Sequence, residues 1–267
     1  LATLALTDHD RLTVKFINND TDTDLSVRLS WNQFLLNPYQ QGCATLAAAG
    51  CASVSLFTNG FNGTRQTVSA EAAGLNRNDR RTIVGARWEH DFSNNLTSRL
   101  QLVWDNRDIK QPTSATSAVG TFPSFNLMGD ITRHGDLFGH NAVLFAGVFG
   151  NRENINSYSY NVPASGTATL GGIAQAVNGS HFNFGARLHA DVDLTDQLTL
   201  ALGLGYERTL LKATQMAYTY PTSATPTIAL VTADRSFDNV APEVALNWRA
   251  NEMLQVHARF GAGYGTP

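Results

Sequence analysis

The segment 181–213 contains two alternating runs of apolar and polar residues, separated by a short polar turn. In the first run the apolar positions are Phe182, Phe184, Ala186, Leu188, Ala190 and Val192, and in the second they are Leu198, Leu200, Leu202, Leu204 and Tyr206. A period of two predicts β-strands, and residues 194–197 supply the turn of a hairpin. Because the apolar face ends in an aromatic residue and the other face carries charge, the pattern is typical of a membrane β-barrel, with lipid outside and water inside.

The same alternation recurs along the chain and predicts about ten antiparallel strands. Predicted strands include 11–17, 81–92, 96–105, 124–133, 142–152 and both arms of a last hairpin over 237–264, and residues 1–7 are read as the tail of an earlier strand. Short turns fall near positions 9, 94, 137, 195 and 251, and longer polar loops are predicted over 18–64, 111–123, 154–180 and 214–235. Short turns at one end and long loops at the other are the pattern of outer-membrane barrels.

Within the first long connection, Ser30 is followed three residues later by Gln33, which matches a helix capping box, and Asn37-Pro38 is a stop signal. A short helix is therefore predicted from Ser30. The alternative is a strand over 25–31, because Leu25, Val27 and Leu29 also alternate. The strand that ends at Phe92 is expected to extend back towards Gln66.

Aromatic residues recur at two levels of the predicted strands. Trp88, Phe92 and Trp248 precede short turns, whereas Trp104, Tyr206 and Tyr264 lie further along the strands that follow such turns. Strands of about 10 residues tilted near 45° cross a bilayer, so the two sets are expected at the two membrane interfaces. The alternative places them in the core of a soluble β-sandwich.

Composition excludes several classes of protein. The net charge is −3 and there is no basic cluster, which argues against nucleic-acid binding. The mean hydropathy is −0.17 and no apolar run is long enough for a transmembrane helix. The histidines are scattered without a metal-binding or catalytic spacing, so we predict no enzyme, no metal site and no cofactor.

Cys43 and Cys51 are the two cysteines of the chain and lie in a segment rich in glycine, alanine and serine. No further cysteine or histidine lies near them at zinc-finger spacing, so a loop disulfide is the favoured interpretation. A disulfide implies an oxidising compartment such as the periplasm or the cell surface.

A charge on the lipid face at the midplane of a barrel costs about 2–4 kcal/mol, so charges at alternate positions are expected to face the lumen. The residues predicted to face the lumen are Arg87, Glu89, Arg99, Asp105, Arg187, His189, Glu207 and Arg259. Those predicted to face lipid include Leu100, Leu102, Leu200, Leu202 and Val256. The aromatic residues of the loops either form a ligand-capture site or pack within the loops; they are Tyr39, Phe57, Phe61, Tyr158, Tyr160, Tyr218 and Tyr220.

Three segments together resemble the barrel of TonB-dependent outer-membrane receptors. They are RRTIVGARWEHDFSNN with the following LQLVWDNRDIKQPTSATSAVGTFPSFN, the hairpin FDNVAPEVALNWRANEMLQVHARF, and the terminal RFGAGYGTP. The resemblance implies that residues 1–267 are part of an all-β transmembrane barrel of about 22 strands that surrounds a plug. The plug and the closing strands would lie outside this chain, which is read as an interior piece of a longer protein.

The resemblance also implies a function. Such receptors sit in the outer membrane of Gram-negative bacteria, bind a scarce ligand such as a ferric siderophore, and import it with energy from TonB, which contacts the plug. The implied partners are therefore outer-membrane lipid, TonB and a ferric chelate. A passive porin-type channel is the alternative function, and a soluble β-rich binding protein is a third.

Overall fold

The computed structural model describes residues 1–40, 51–164, 170–221 and 224–263. Within these residues there are two short helices, α1 Trp31–Leu36 and α2 Ala70–Ala73. The strands are β1 Ala2–Ala5, β2 Asp10–Asp24, β3 Val54–Phe57, β4 Arg65–Val68, β5 Asn76–Ser93, β6 Leu96–Pro112, β7 Thr116–Thr121, β8 Ser124–Leu137, β9 His140–Asn161, β10 Ile173–Thr195, β11 Leu198–Thr219, β12 Thr227–Arg249 and β13 Gln255–Gly261.

Eleven of the strands form one antiparallel sheet in the order β1, β2, β5, β6, β7 with β8, β9, β10, β11, β12 and β13. Strands β7 and β8 both pair with β6 on one side and with β9 on the other, so β7 and β8 together fill the single strand position between β6 and β9. The strand at this position is interrupted at Phe122 and Pro123, because proline has no N–H to donate to the ladder. The eleven strands therefore occupy ten positions, which confirms the predicted strand count.

Short turns join the strands at one end of the sheet, called here the short-turn end, and they lie where the sequence predicted them. One of them places Phe138 at φ 55° and Gly139 at φ 86°. Two successive residues with positive φ are typical of a type I′ turn, which matches the twist of paired strands and favours glycine. The opposite end of the sheet is called the long-loop end.

At the long-loop end the strands extend further than predicted. The predicted loop over 154–180 is largely paired strand, since β9 continues to Asn161 and β10 starts at Ile173. The loop over 214–235 shortens in the same way, and the loop over 111–123 contains β7. These predictions were wrong because antiparallel pairing satisfies the backbone hydrogen bonds of segments that lack a regular alternation of apolar and polar residues.

The cross-strand register gives the sheet an apolar face and a polar face. One row of directly paired residues runs across eight strands through Leu12, Trp88, Leu100, Gly129, Val148, Ala186, Tyr206 and Val240. The adjacent row on the other face runs through Arg11, Glu89, Arg99, Asp130, Gly147, Arg187, Gly205 and Ala241. Each strand keeps the same parity, so the alternation read from single strands combines into two continuous surfaces.

The excursion between β2 and β5, residues 25–75, forms a small folded unit in the part that the structure describes. Ser30 caps α1 and forms the predicted capping box with Gln33, so the helix is confirmed and the alternative strand over 25–31 is wrong. The hairpin of β3 and β4 and the helix α2 were not predicted, and β5 begins at Asn76 rather than near Gln66.

A hydrophobic cluster holds this excursion together. Its buried members are Val27, Ala52, Val54, Leu56, Val68, Ala70, Ala73, Leu75 and Val162. Val162 comes from the connection between β9 and β10, so a distant loop completes the core of the excursion. Leu56, Leu75 and Val162 are each 2% exposed or less. Burial of this apolar surface stabilises the contact between two loops that lie far apart in the sequence.

Backbone hydrogen bonds reinforce the contact between the excursion and the neighbouring loops. The amide of Ala164 donates to the carbonyl of Phe57 at 3.0 Å, and the amide of Gly172 donates to that of Gly60 at 2.9 Å. Asn62 Nδ2 also donates to the carbonyl of Tyr220, beyond the end of β11, at 3.0 Å. The excursion is therefore docked against the ends of strands β9, β10 and β11.

Gly171 allows this close approach. A Cβ atom at Gly171 would lie 2.3 Å from the carbonyl oxygen of Gly60. We expect Gly171→Ala to loosen the docked excursion by about 1–3 kcal/mol, because the backbone must shift to relieve the overlap. Limited proteolysis of the full receptor that contains this chain should then cleave residues 51–75 faster.

Gly135→Ala is the matched control, because a Cβ there would lie 3.7 Å from Arg133 Nε, an ordinary van der Waals distance. Equal protease resistance of Gly171→Ala and the parent protein would show that the contact does not hold the excursion.

No helix within the described residues is long and apolar enough to cross a membrane.

Candidate functional site

The polar face carries every residue that the sequence predicted to face the lumen. Arg99 lies opposite Glu89 and Asp130, and Arg87 lies opposite Gln101. Register places the remaining residues, Asp105, Arg187, His189, Glu207 and Arg259, on the same face as Arg99. Their assignment to a lumen stays a prediction.

Most charges on this face are paired with an opposite charge. Arg99 Nη2 lies 2.8 Å from Asp130 Oδ2, and Arg259 Nη2 lies 2.9 Å from Glu243 Oε2. The predicted residues Arg87 and Glu89 pair with each other at 3.4 Å. Interleaved signs let a sheet carry many charges on one face without strong repulsion between neighbouring strands.

Other contacts on the polar face involve uncharged or aromatic groups. The guanidinium of Arg187 lies over the ring of Phe149, 5.0 Å from its centroid, in a cation–π contact. His189 Nε2 lies 3.1 Å from Asp191 Oδ1, and Asn183 Nδ2 donates to Glu207 Oε1 at 3.0 Å. The contacts of Arg187 with Phe149 and of Glu207 with Asn183 join neighbouring strands and depend on the register, whereas His189 and Asp191 are two residues apart on β10 and share a face by parity.

At the short-turn end of the apolar face, aromatic side chains form a cluster at the edge of the apolar surface. Trp88 stacks on His90 with ring centroids 5.6 Å apart, and His90 meets Phe92 edge-on at 4.4 Å. Asp10 accepts hydrogen bonds from Trp88 Nε1 at 3.0 Å and lies 2.8 Å from His90 Nδ1. Apolar rings with polar edges that bond a carboxylate suit the boundary between hydrocarbon and water.

The predicted loop aromatics do not form a single cluster. Phe61 meets Tyr220 edge-on at 5.3 Å, and Tyr220 Oη donates to the carbonyl of Ile173. Tyr158 and Tyr160 lie beside each other with centroids 6.4 Å apart, on β9 rather than in a loop. Tyr218 Oη contacts Met216 Sδ on β11. These contacts favour packing within the loop end, which was one of the two readings.

Two of the loop aromatics differ from the others. Phe57 lies under the guanidinium of Arg65, 4.1 Å from its centroid, within the hairpin of β3 and β4. Tyr39 follows α1 and is 90% exposed. Burial raises the pKa of the Tyr220 hydroxyl, and this hydroxyl donates a hydrogen bond to the carbonyl of Ile173 that holds the end of β11 to β10.

Cys51 is disulfide-bonded, and Cys43 lies outside the described residues. We expect the two cysteines to be joined at the cell surface. Thiol reagents that cannot cross membranes should label intact cells carrying the full receptor only after reduction. Labelling without reductant would show free cysteines, and no labelling after reduction would place them away from the surface.

An arginine cluster at the long-loop end of the polar face was missed by the sequence reading. Arg77 and Arg81 on β5 and Arg107 on β6 surround the buried carboxyl of Asp79 and the carboxyl of Asp105. The spacing of Arg77, Asp79 and Arg81 on one strand is visible in the sequence. Arg107 was not added, because the predicted strand over 96–105 ended two residues before it, whereas β6 continues to Pro112.

The carboxyl of Asp79 is held ionised by its neighbours. Burial raises its pKa, but hydrogen bonds donated by Arg107, Gln111 and Arg77 outweigh this, and the pKa lies below its usual range. Arg107 Nη2 lies 2.8 Å and Arg77 Nη2 2.9 Å from Asp79 Oδ2. The network therefore keeps two guanidinium groups in defined positions on the polar face.

Among the residues described, no group of three or more histidine, cysteine, aspartate or glutamate side chains is arranged to hold a metal ion.

The comparisons with solved structures concern the fold. The ferric-catecholate import receptor Fiu from E. coli K12 is 13% identical with a TM-score of 0.65, and the match covers 97% of this chain and 45% of Fiu. The ferric citrate transporter FecA is 10% identical with a TM-score of 0.69, over 97% of this chain and 34% of FecA. The ferripyoverdine receptor of the outer membrane of Pseudomonas aeruginosa is 17% identical with a TM-score of 0.61, over 96% of this chain and 34% of that receptor.

The chain thus spans less than half the length of each of these receptors. No curated protein matches it in sequence. The family model described as TonB dependent receptor-like, beta-barrel, matches residues 3–267. The two-faced antiparallel sheet, the short turns at one end and this match together show that the chain belongs to the family of TonB-dependent receptor β-barrels.

Proposed function

We propose that the chain forms part of the wall of an outer-membrane receptor that binds a ferric chelate at the cell surface and passes it to the periplasm with energy from TonB. The observation that carries the proposal is the division of the sheet into a continuous apolar face and a face of paired charges. Such a wall suits lipid on one side and a polar plug or ligand on the other.

The apolar face supports a membrane location. Exposed apolar side chains are spread along it on adjacent strands, among them Leu100, Leu102, Leu202, Leu246 and Val256. Monomeric soluble proteins rarely expose apolar surface continuously across many strands. A bilayer would cover this face, while the paired charges of the opposite face stay in water.

The two ends of the sheet suggest its orientation. Outer-membrane barrels have short periplasmic turns and longer extracellular loops. The short-turn end would then face the periplasm, and the long-loop end with its docked excursion would face the outside. The arginine cluster and the loop aromatics would lie on the side from which the ligand arrives.

The ligand class is proposed from the structural neighbours. These receptors are named for a ferric catecholate, ferric citrate and ferripyoverdine, three chemically different iron chelates. A ferric chelate is what these ligands share. The plug and its contact with TonB enter the proposal from family membership.

Uptake of radioactively labelled ferric chelates by iron-starved cells tests the proposal. Cells that express the full receptor containing this chain should accumulate at least one chelate, and cells lacking it should not. Deleting TonB or collapsing the proton gradient should abolish accumulation. Uptake that persists without TonB and without the gradient would instead support a passive channel. No specific observation on this chain favours that alternative.

A further inference from the structure

We infer that Arg77, Arg81 and Arg107, the arginine cluster, bind the negatively charged oxygen atoms of an anionic iron chelate at the long-loop end of the polar face. The inference rests on the proposed function and names the ligand chemistry that this part of the wall would select. Carboxylate and catecholate oxygens are the groups concerned.

The register concentrates positive charge at one place. Arg81 on β5 lies directly opposite Arg107 on β6, and Arg77 lies on the same face four positions before Arg81. Like charges directly opposite each other destabilise a strand pair. A sheet that places two arginines in this way must offset the repulsion, which both aspartates of the cluster do.

The aspartates also orient the arginines. Asp105 accepts from Arg81 Nε at 3.0 Å and from Arg81 Nη2 at 2.6 Å, in a bidentate pair. Asp79, which is 8% exposed, accepts from Arg77, Arg107 and Gln111. Fixed guanidinium groups lose little conformational freedom when they bind a further anion, which favours affinity.

The guanidinium groups keep capacity for a further partner. The arginine side chains are 50%, 54% and 44% exposed for Arg77, Arg81 and Arg107, whereas the Asp79 and Asp105 side chains are 10% and 19% exposed. The carboxylates therefore lie beneath the cations. Each guanidinium has more N–H donors than its carboxylate partners use, and planar donors of this kind match carboxylate oxygens.

The local charge favours an anion. Three arginines stand against two aspartates, so the cluster has a net charge of one positive. Neighbouring acids on β2, Asp20 and Asp22, pair with Arg80 and Asn78 and so belong to the opposite face. Glu153 on β9 is on the polar face, but β8, with Ser124, lies between it and Asp105 on β6.

The position of the cluster makes it accessible from the long-loop end. On β5 the last apolar side chain of the apolar face is Val84, and Arg81, Asp79 and Arg77 lie beyond it, nearer the long-loop end. The two ends of the excursion meet next to them, where the amide of Leu25 donates to the carbonyl of Leu75. A ligand that enters from this end would meet the arginines before it reaches the level of Val84 and the apolar surface on the other side of the sheet.

Binding of two ferric chelates of different charge to the purified full receptor tests the inference. Ferric citrate or a ferric catecholate is the anionic probe, and a neutral ferric trihydroxamate is the comparison. Arg81→Gln should weaken binding of the anionic chelate about 10- to 100-fold, because a charge-assisted pair is lost, and leave the neutral chelate unchanged. Arg81→Lys should recover only part of the loss, because it keeps the charge without the bidentate geometry.

Arg80→Gln is the matched control, because Arg80 is an exposed neighbour on the opposite face of the same strand. It should change neither affinity, and heat-modifiable migration in gels should show that all variants are folded. Unchanged anion binding by folded Arg81→Gln, an equal loss for both chelates, or a wild-type receptor that binds only the neutral chelate would overturn the inference and leave the proposed function standing. A receptor that binds neither chelate class would remove both.

Discussion

Replacing Leu202 by arginine should impair insertion of the full receptor into lipid vesicles by about 2–4 kcal/mol. Leu202 is 44% exposed on the apolar face and lies between Ala190 on β10 and Val244 on β12. An arginine at this place would have to cross or remain in hydrocarbon without an ionic partner. The folding yield into vesicles, followed by protease protection and gel migration, measures the effect.

The control variant is Ala201→Arg on the polar face. Ala201 lies directly opposite Asp191, so a new guanidinium there has a carboxylate across the strand pair. This variant should insert nearly as well as the parent protein. If Leu202→Arg inserts normally and Ala201→Arg does not, the two faces of the sheet are assigned the wrong way round, and the proposed function loses its main support.

Replacing Asp79 by asparagine should destabilise the long-loop ends of β5 and β6 by about 1–3 kcal/mol, because a buried acceptor for charged donors is weakened. Arg77 and Arg107 would lose their shared carboxylate, and Arg107 would still lie opposite Arg81. Hydrogen exchange of the backbone amides in 76–82 and 105–112 should become faster. Amides near the short turn at 94–95 should not change.

Asp108→Asn serves as the comparison, since Asp108 is exposed on the other face of β6 and accepts a hydrogen bond from Asn106. If Asp79→Asn exchanges no faster than Asp108→Asn, the aspartate does not organise the arginine cluster.

The same carboxyl predicts a dependence on pH. The folded pKa of Asp79 is lowered, so its ionised form stabilises the folded state above the unfolded pKa of about 3.9, and this contribution is lost as the pH falls through the lower folded pKa. Protection of residues 76–82 should therefore decrease in acid for the parent protein. In Asp79→Asn the decrease should be smaller, because the titrating group is gone.

Local periodicity was sufficient to predict the strands that have one apolar face. In β5, β6, β10 and β11 a period of two assigned each side chain to a face, and the register confirms one parity on every strand. The short turns and the capping box at Ser30 were also predicted, since both depend on residues close together in sequence.

The conformation of the long-loop end depends on tertiary structure. The extension of β9 is rich in Asn, Ser and Tyr, and those of β10 and β12 begin with the runs IAQAV and TIALV, which have no regular alternation of apolar and polar residues. Their pairing with neighbouring strands makes these segments strands. The docking of Gly60 beside Gly172 joins residues far apart in the chain through contacts that carry no local signal.

The sequence by itself determined which residues share a face, because side-chain direction in a strand depends only on parity. It therefore placed Arg99, Arg187 and Arg259 on one face correctly. It did not determine which charges meet, because a cross-strand neighbour depends on where each strand begins and how the pair is aligned. Arg81 faces Arg107 because the short turn at 94–95 aligns β5 with β6 and because β6 continues past Asp105 to Pro112. This alignment creates the arginine cluster.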